Sequence, residues 1–596
     1  MSTPPVRRVA ETDTVLSVFR STVAARPGAV AVRAHDGSTS LTWDELDRAA
    51  SGLAAGFAAL GVRAGDTIAL LLRNRPEFYP VDLAAITLGA VTVSLYPTTA
   101  PEQLRHVLLD SGASVVISER GLAGAPDGMD LPALRFLVDG GLDDHDGWRP
   151  LREIAEAGDP AGPAPEAPRP DDVLTMIYTS GTTGAPKGVR ITHRAVLATA
   201  VATNSELGLP PGTTVISWLP AAHVGDRLGG YYIPMLTGWE IVTCADPRVV
   251  LDVVAHARPG YFFGPPRVFE KLRSDFATWR DGLDVTARKH LDTGLEAAYA
   301  QVRACQAGIT VPDDVADASA EFREIGVRDW KRAVGLDRLL VALVATAPNP
   351  GPVMEFFHAV GVPLGEAYGL TESTGAGTTV GPATIRIGKV GTASLGMELR
   401  IGDGGEVLLR GPQIMAGYHH RRDATAAAID PDGWLHTGDL GELDDDGYLS
   451  ILGRAKELII NAQGKNISPV AVEAAVGTAS PLIGHVCVVG DARAYLSALI
   501  VLDRVQVTGW AARNGVAEAD AVGDPRLRAE VSAAVEAGNA RLARPERVRR
   551  FHLCDTEWLP GGDELTPTSK LRRHRIAELY ADEIDALYSD ALEERS

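Results

Sequence analysis

Short apolar runs alternate with helical stretches through the first three quarters of the chain, and that rhythm leaves few folds open. The runs are "TIALLL", "VTVSLYP", "SVVIS", "VLTMIY", "TTVISWLP" and "WEIVTC". Apolar strands separated by helices predict a mostly parallel sheet covered on both faces. The first long helix announces its own start: in "SLTWDELDRAASGLAAGFAALG", Thr42 is followed three residues later by Glu45, a capping-box pattern. At 596 residues the chain is too long for one core, so several subdomains are expected.

Past about Arg400 the pattern changes. "LRIGDGGEVLLRGP" and "DLGELDDDGYLSILGR" carry Asp-Gly and Gly-Gly pairs that favour tight hairpins. From Lys456 onward short strands mix with helices, as in a small α+β domain. Two stretches interrupt the alternation. Ala155–Pro170 is rich in Pro and Gly and is expected to be an irregular surface connector. Val268 to about Gly335 is helical and charged, and is expected to be a solvated excursion.

Composition excludes some function classes. Lys and Arg total 57 against 77 Asp and Glu, a net charge of −20, and such a surface repels nucleic acid and anionic lipid. The four cysteines, Cys244, Cys305, Cys487 and Cys554, form no CxxC pair, so reduced buried thiols are expected. The most apolar stretch, Leu83–Tyr96, falls short of the ~20 residues that span a bilayer and reads as core. The N-terminal stretch lacks the apolar centre of a signal peptide. The expected location is cytoplasmic, with peripheral membrane contact the one membrane association left open.

The residues that point to chemistry lie in "IYTSGTTGAPKGVRITH", behind the run "VLTMIY". Gly181, Gly184 and Gly188 stand among Thr179, Ser180, Thr182 and Thr183, and Lys187 adds a positive charge. Glycines let backbone N–H groups approach an anion, and hydroxyls add donors. The spacing is not the GxxxxGK[ST] of a P-loop, because Pro186 precedes the lysine. A phosphate loop of another kind and a surface loop both fit these residues taken alone.

"YTSGTTGAPKG" resembles the signature of the adenylate-forming superfamily, which includes acyl-CoA synthetases, peptide-synthetase adenylation domains and luciferase. Further segments occur in that family's order: "GEAYGLTES", "GWLHTGDLG", "LGRAKELI", "NAQGKNISP" and "ELTPTSKLRRHRI". The resemblance implies ATP contacts from Thr179, Ser180, Gly181, Thr182, Thr183, Gly184, Lys187 and the segment that begins at Gly365. It implies that Tyr368 stacks on adenine, that Thr371 donates to phosphate, and that Glu372, with Thr179, holds Mg2+, a hard ion that prefers oxygen ligands. Asp439 and Arg454 would take the ribose, Lys456 would be a hinge, Gly464 would line the thiol path, and Lys570 would be the catalytic lysine. "ATAPNP" (Ala345–Pro350) departs from the family's usual wording beside the adenine.

The implied fold is α/β: a large, multi-subdomain N-terminal domain (1–454) with parallel αβα sheets and a small β-barrel-like part, plus a small mobile α+β domain (455–596). The implied reaction is activation of a carboxylic acid by ATP to acyl-AMP, then transfer to coenzyme A. "LPAAHVGDRLGGYYIPMLTG" resembles long-chain acyl-CoA synthetases, which would put His223 near the acyl carboxylate rather than in packing against core strands. An apolar tunnel around Tyr231, Tyr232 and "YFFGPP" would take a long-chain fatty acid. Asp226 and Arg227 depart from that pattern, and a buried charge pair beside the tunnel would instead suit a polar or aromatic acid. The alternatives are therefore a specialised ligase for a small acid or other oxyanion, an acyl-AMP ligase loading a carrier protein in trans, and a catalytically silent nucleotide-binding protein.

Overall fold

Thr42 starts the first long helix, Trp43–Ala59, as the capping box predicts. Its Oγ1 accepts from the Glu45 N–H at 3.3 Å, while Glu45 Oε2 accepts from the Thr42 N–H at 2.8 Å. This computed structural model describes residues 10–126, 129, 132, 134–140, 147–158, 166–179, 185–345, 351–463, 465–566 and 570–589. Helices and strands alternate from that helix onward, and the strands collect into two seven-stranded sheets.

The first sheet runs in the order Arg149–Pro150, Leu134–Leu137, Ala113–Ser118, Thr67–Leu71, Val91–Ser94, Val173–Thr179, Lys187–Thr192. All its pairs are parallel except the last, a hairpin that carries the phosphate-loop motif. The second runs Leu364–Glu366, Val341–Val344, Tyr261–Gly264, Thr214–Ser217, Glu240–Thr243, Val30–Ala34, Ser40–Thr42, again parallel until its last pair. Strands such as Thr67–Leu71 and Val91–Ser94 are buried along their whole length, which is why they read as continuous apolar runs.

A buried arginine ties the two sheets together. Arg227 follows the strand Thr214–Ser217 of the second sheet and donates to three groups of the first. These are Asp82 Oδ1 at 2.8 Å, Thr92 Oγ1 at 2.8 Å and Thr175 Oγ1 at 2.9 Å. Arg227 and Asp82 are 1% and 0% exposed. The rings of Phe78, Tyr231 and Tyr232 surround the guanidinium at 5.0–5.4 Å.

Two antiparallel hairpins follow where Asp-Gly and Gly-Gly pairs predict them, giving a four-stranded sheet of Glu398–Ile401, Glu406–Arg410, Leu435–Leu443 and Leu449–Arg454. Gly404, Gly405 and Gly447 take positive φ at their turns. Leu449 exchanges backbone hydrogen bonds with Val390 and Gly391, and the four strands form an open sheet rather than a closed barrel. Beyond it, Ile483–Val489, Leu496–Leu502 and Val548–Cys554 form a three-stranded sheet with its own core, in which Trp510 and Val531 pack against Ile500 and neighbouring residues.

Three expectations need correction. Ala155–Ala157 of the expected connector belong to the helix Arg152–Ala157, anchored by fully buried Ile154, and residues 159–165 of it lie outside the described residues. The helical excursion is not simply solvated: Phe276 packs on Trp330 and Phe356, with ring centroids 5.1 and 5.0 Å away. Cys305 is exposed, whereas the other three thiols are buried.

Removing one member of the Arg227–Asp82 pair strands the other charge in the interior. Asp82→Ala or Arg227→Met is expected to cost ~3–5 kcal/mol, seen as a lowered melting transition in calorimetry, and the double variant Asp82→Leu/Arg227→Met less than the sum. Single variants that melt with the wild type would contradict this role.

Candidate active site

The strand Val173–Thr179 delivers the phosphate-loop motif and returns as Lys187–Thr192, with Thr179 paired opposite Lys187. Ser180, Gly181, Thr182, Thr183 and Gly184 lie outside the described residues. Both flanks are held by the helix Pro101–Asp110. Tyr178 donates its hydroxyl to Asp110 Oδ2 at 2.9 Å, and His106 Nε2 donates to the Pro186 carbonyl at 3.0 Å. Gly188 is required by contact: a Cβ there would lie 2.9 Å from the Tyr178 ring.

Tyr418 joins two of the residues that the motifs single out. Its ring lies beneath Lys187, with Nζ 5.1 Å from the centroid, and its hydroxyl donates to Glu372 Oε1 at 2.7 Å. Burial and the Glu372 charge raise the Tyr418 pKa, so the phenol keeps its proton. Thr371 and Glu372 occupy a single helical turn, Thr371–Ser373. Thr374 closes that turn at φ +51°, and its hydroxyl donates to the Gln413 carbonyl at 2.6 Å. Gly365 is fixed by packing, because a Cβ would meet Val380 Cγ2 at 2.6 Å.

The hairpin explains why Asp439 and Arg454 can act together. Fifteen residues apart in sequence, they face each other across the ladder, and Arg454 Nε donates to Asp439 Oδ1 at 2.8 Å. The other oxygen, Oδ2, accepts from the Tyr368 hydroxyl at 2.9 Å. Asp439 is 5% exposed, so its charge is held where solvent screens it little.

Lys570 comes from the far end of the chain and keeps surface exposure, yet lies near enough to Arg454, Asp439, Glu457 and Glu372 to feel their charges. Its N–H donates to Thr566 Oγ1 at 3.0 Å, and its carbonyl accepts from the Thr566 N–H at 2.8 Å. Crowding by protein lowers its pKa, and the Arg454 charge adds to this, while Asp439, Glu457 and Glu372 oppose it. His223 belongs to the same neighbourhood. Burial, and secondly the Lys570 charge, push its pKa down to about 3. Its Nδ1 accepts from the Gly225 N–H at 3.1 Å, which leaves Nε2 to carry the proton. His223 is thus a neutral donor.

The acyl-site expectations change. Asp226 and Arg227 are not a pair: Arg227 bonds Asp82, while Asp226 accepts from Asn74, Ser217 and the Trp218 N–H. Burial raises the Asp226 pKa to about 7. Tyr231 and Tyr232 are each 1% exposed and enclose Arg227, so they are core rather than tunnel wall. Tyr261 and Phe262 are likewise buried. Lys456 is exposed on the short turn Ala455–Glu457. Gly464 and residues 346–350 of "ATAPNP" lie outside the described residues. Sequence reasoning did not pick out Tyr418, Asp110, His106 or Glu457; the aromatic-and-basic run "GYHHRR" was the one visible signal for the first.

Residues 19–419 match the model of the AMP-binding enzymes, and residues 456–592 match that of the AMP-binding enzyme C-terminal domain. This chain belongs to the AMP-binding enzymes. A relative 39% identical over 430 residues, 72% of this chain and 75% of its own length, is a putative fatty-acid–CoA ligase of Mycobacterium tuberculosis. Another, 34% identical over 570 residues and 92% of each chain, is a long-chain-fatty-acid–CoA ligase of Mycobacterium bovis. Among solved structures, an anthranilate CoA ligase in complex with anthranoyl-AMP superposes with a TM-score of 0.73 at 18% identity, covering 97% of this chain and 99% of that one. That likeness is one of fold. No described helix of this AMP-binding enzyme is long and apolar enough to cross a membrane.

The sign of the His223 shift makes a prediction. A depressed histidine pKa means the folded protein resists protonation, so His223 is expected to stay neutral, as the Nε2–H tautomer, from pH 8 down to about 4. Nitrogen-15 spectra of histidine-labelled protein, assigned with His223→Gln, check this. A signal titrating near the ordinary value of ~6.5, or an Nδ1–H tautomer, would reject it.

Proposed function

We propose that this AMP-binding enzyme activates a long-chain fatty acid with MgATP and transfers the acyl group to coenzyme A. The observation that carries the reading is the bonding of Asp439 to Arg454 and Tyr368, with Lys570 near enough to Arg454, Asp439, Glu372 and His223 for their charges to act on one another. The relatives named fatty-acid–CoA ligases support the choice of acid and acceptor.

In the first half-reaction the fatty carboxylate attacks the α-phosphorus of ATP, and the bond to the bridging oxygen of the β-phosphate breaks. Acyl-AMP forms and pyrophosphate leaves. The carboxylate is already ionised at neutral pH and needs no general base. Lys570 is the charge that meets the developing negative charge between carboxylate and α-phosphate, a preorganised cation in a crowded cleft. His223 offers its Nε2–H as a neutral donor to the carboxylate. Lys187, Thr371 and the hydroxyls and amides of Thr179–Gly184 hold the phosphates. Mg2+ held by Glu372, with Thr179, would neutralise phosphate charge, and a single carboxylate suits an ion that shares its shell with substrate phosphates.

The ribose falls to Asp439. A carboxylate has about four lone-pair sites, and Tyr368 and Arg454 use two, so acceptor positions remain for ribose hydroxyls. Tyr368, fixed through that hydroxyl, offers its ring to adenine, and Gly365 belongs to the wall behind it. In the second half-reaction, residues 455–596 turn about Lys456 as one domain against residues 1–454. Lys570 leaves and the loop of Gly464 enters beside the coenzyme A thiol. The thiol sulfur attacks the acyl carbon, loses its proton to solvent, and AMP departs.

Separate assay of the two half-reactions tests these roles. Lys570→Ala is expected to slow pyrophosphate release by ~100-fold or more and still convert supplied acyl-AMP; equal loss of both steps would refute the assignment. Gly464→Leu is expected to do the reverse. The acid is tested by pyrophosphate release across fatty, aromatic and amino acids, with and without coenzyme A. Preference for a small aromatic acid would reject the fatty-acid reading, and release that needs a carrier protein rather than coenzyme A would reject the acceptor.

A further inference from the structure

Arg573 begins the helix Arg573–Leu579, three residues after Lys570. Its guanidinium forks onto Glu473, with Nη1 to Oε1 and Nη2 to Oε2 both at 2.6 Å, and its Nε lies 3.5 Å from Glu457. Glu473 is 11% exposed, and its Oε1 also accepts from the Val488 N–H at 2.8 Å. A path of fixed contacts therefore runs from the strand Ile483–Val489, through Glu473 on the helix Pro469–Gly477, to Arg573 and the end of the Lys570 segment. Before the lysine, fully buried Leu565 sits in a core cluster with Cys487, Leu499 and Trp558 and bridges Leu571, and the Arg572 N–H donates to the Glu564 carbonyl at 2.8 Å.

We propose that Arg573 is the positioning residue for Lys570, acting through its fork on Glu473 and its ion pair with Glu457. The inference rests on the reading of Lys570 as the lysine of adenylation. Planar, bidentate pairing fixes direction as well as distance, which a single point charge does not. Glu457 belongs to both ends of the arrangement, because it is Arg573's second partner and one of the charges that Lys570 feels. Three residues of chain span at most ~11 Å, so tilting of the helix start is passed to Lys570 with little loss. A displacement near 1 Å at a reacting group can cost ~100-fold in rate.

The experiment measures both half-reactions and melting curves of the full chain. Arg573→Met paired with Glu473→Gln removes the fork without leaving a buried charge behind. It is expected to slow ATP–pyrophosphate exchange by ~10–100-fold, chiefly in kcat, while conversion of supplied acyl-AMP to thioester keeps its rate. Arg573→Lys is expected to fall between wild type and that variant, and Glu457→Gln, which leaves the fork intact, to reproduce a smaller loss in the same half-reaction. Equal loss of both half-reactions with a lowered melting temperature would make the pair merely structural and overturn the proposal. Unchanged exchange would overturn it too. Lys570→Ala, run alongside, separates the two ideas: if it leaves exchange intact, the reading of Lys570 fails, whereas if it abolishes exchange and the Arg573 variants do not, only the positioning role fails.

Discussion

The Arg227 guanidinium sets the frame in which the rest of the molecule is assembled. It belongs to the second sheet by sequence and to the first by its bonds, reaching a helix carboxylate and two strand hydroxyls there. Burying such a charge is costly, and its partner returns the cost only if the geometry is satisfied. The two sheets therefore have little freedom to slide. That matters because the site draws on both. Lys187 and Thr179 come from the hairpin at the edge of the first sheet, while His223 follows a strand of the second and Tyr368 and Glu372 follow its edge strand. An apolar substitute could match the stability, but it would not fix the relative register of the sheets through three directed hydrogen bonds.

On that frame the site is built from pairs that read as unrelated in the chain. Asp439 and Arg454 become neighbours through hairpin register. Glu372 and Lys187 become neighbours through Tyr418, which offers a hydroxyl to one and a ring face to the other. Each acidic group of the cleft thus has a defined donor. Lys570 adds a cation with no direct ion pair among the described residues, and its lowered pKa reflects crowding and the nearby Arg454. The charge that such a lysine lacks is one that an anionic substrate supplies.

Much of this was legible in the sequence, for a physical reason. Buried parallel strands must be apolar throughout, tight turns must carry Gly, and a helix start leaves its capping box, so the parallel strands, the hairpins and the Thr42 cap could be read in advance, whereas the division of the strands into two sheets could not. The motif residues could be named through their family resemblance, and the fold brings Lys187, Tyr368, Glu372, Asp439, Arg454, Lys570 and His223 into one region. What could not be read were partners chosen by tertiary contact. Adjacent Asp226 and Arg227 suggested each other, yet successive residues on a helix point in different directions, and each found its partner across the core. Asp110 and His106 lie on a helix with no motif at all, and their role at the flanks of the phosphate loop depends on strand order. Arg573 stands in the basic run "KLRRHRI", and its fork on Glu473, 100 residues away in the chain, is a tertiary contact that such a run does not announce.

The same correction bears on the acid. The reading in favour of a polar or aromatic substrate drew its strength from a charged pair beside the acyl site. Arg227 instead donates through both terminal nitrogens to Asp82, Thr92 and Thr175 and is walled in by Phe78, Tyr231 and Tyr232, so its charge is held in the core and not offered to a polar substrate tail. Asp226 is occupied by three donors, and burial favours its neutral form. Its charge would repel a carboxylate if exposed, and it is not exposed. In the proposed reaction the group left to meet the carboxylate is His223, uncharged and with Nε2 carrying its one N–H. A neutral donor orients a carboxylate without forming a tight ion pair that adenylation would then have to break. With Arg227 and Asp226 both committed to partners in the core, neither offers a charge that would favour a polar acid over a hydrocarbon one.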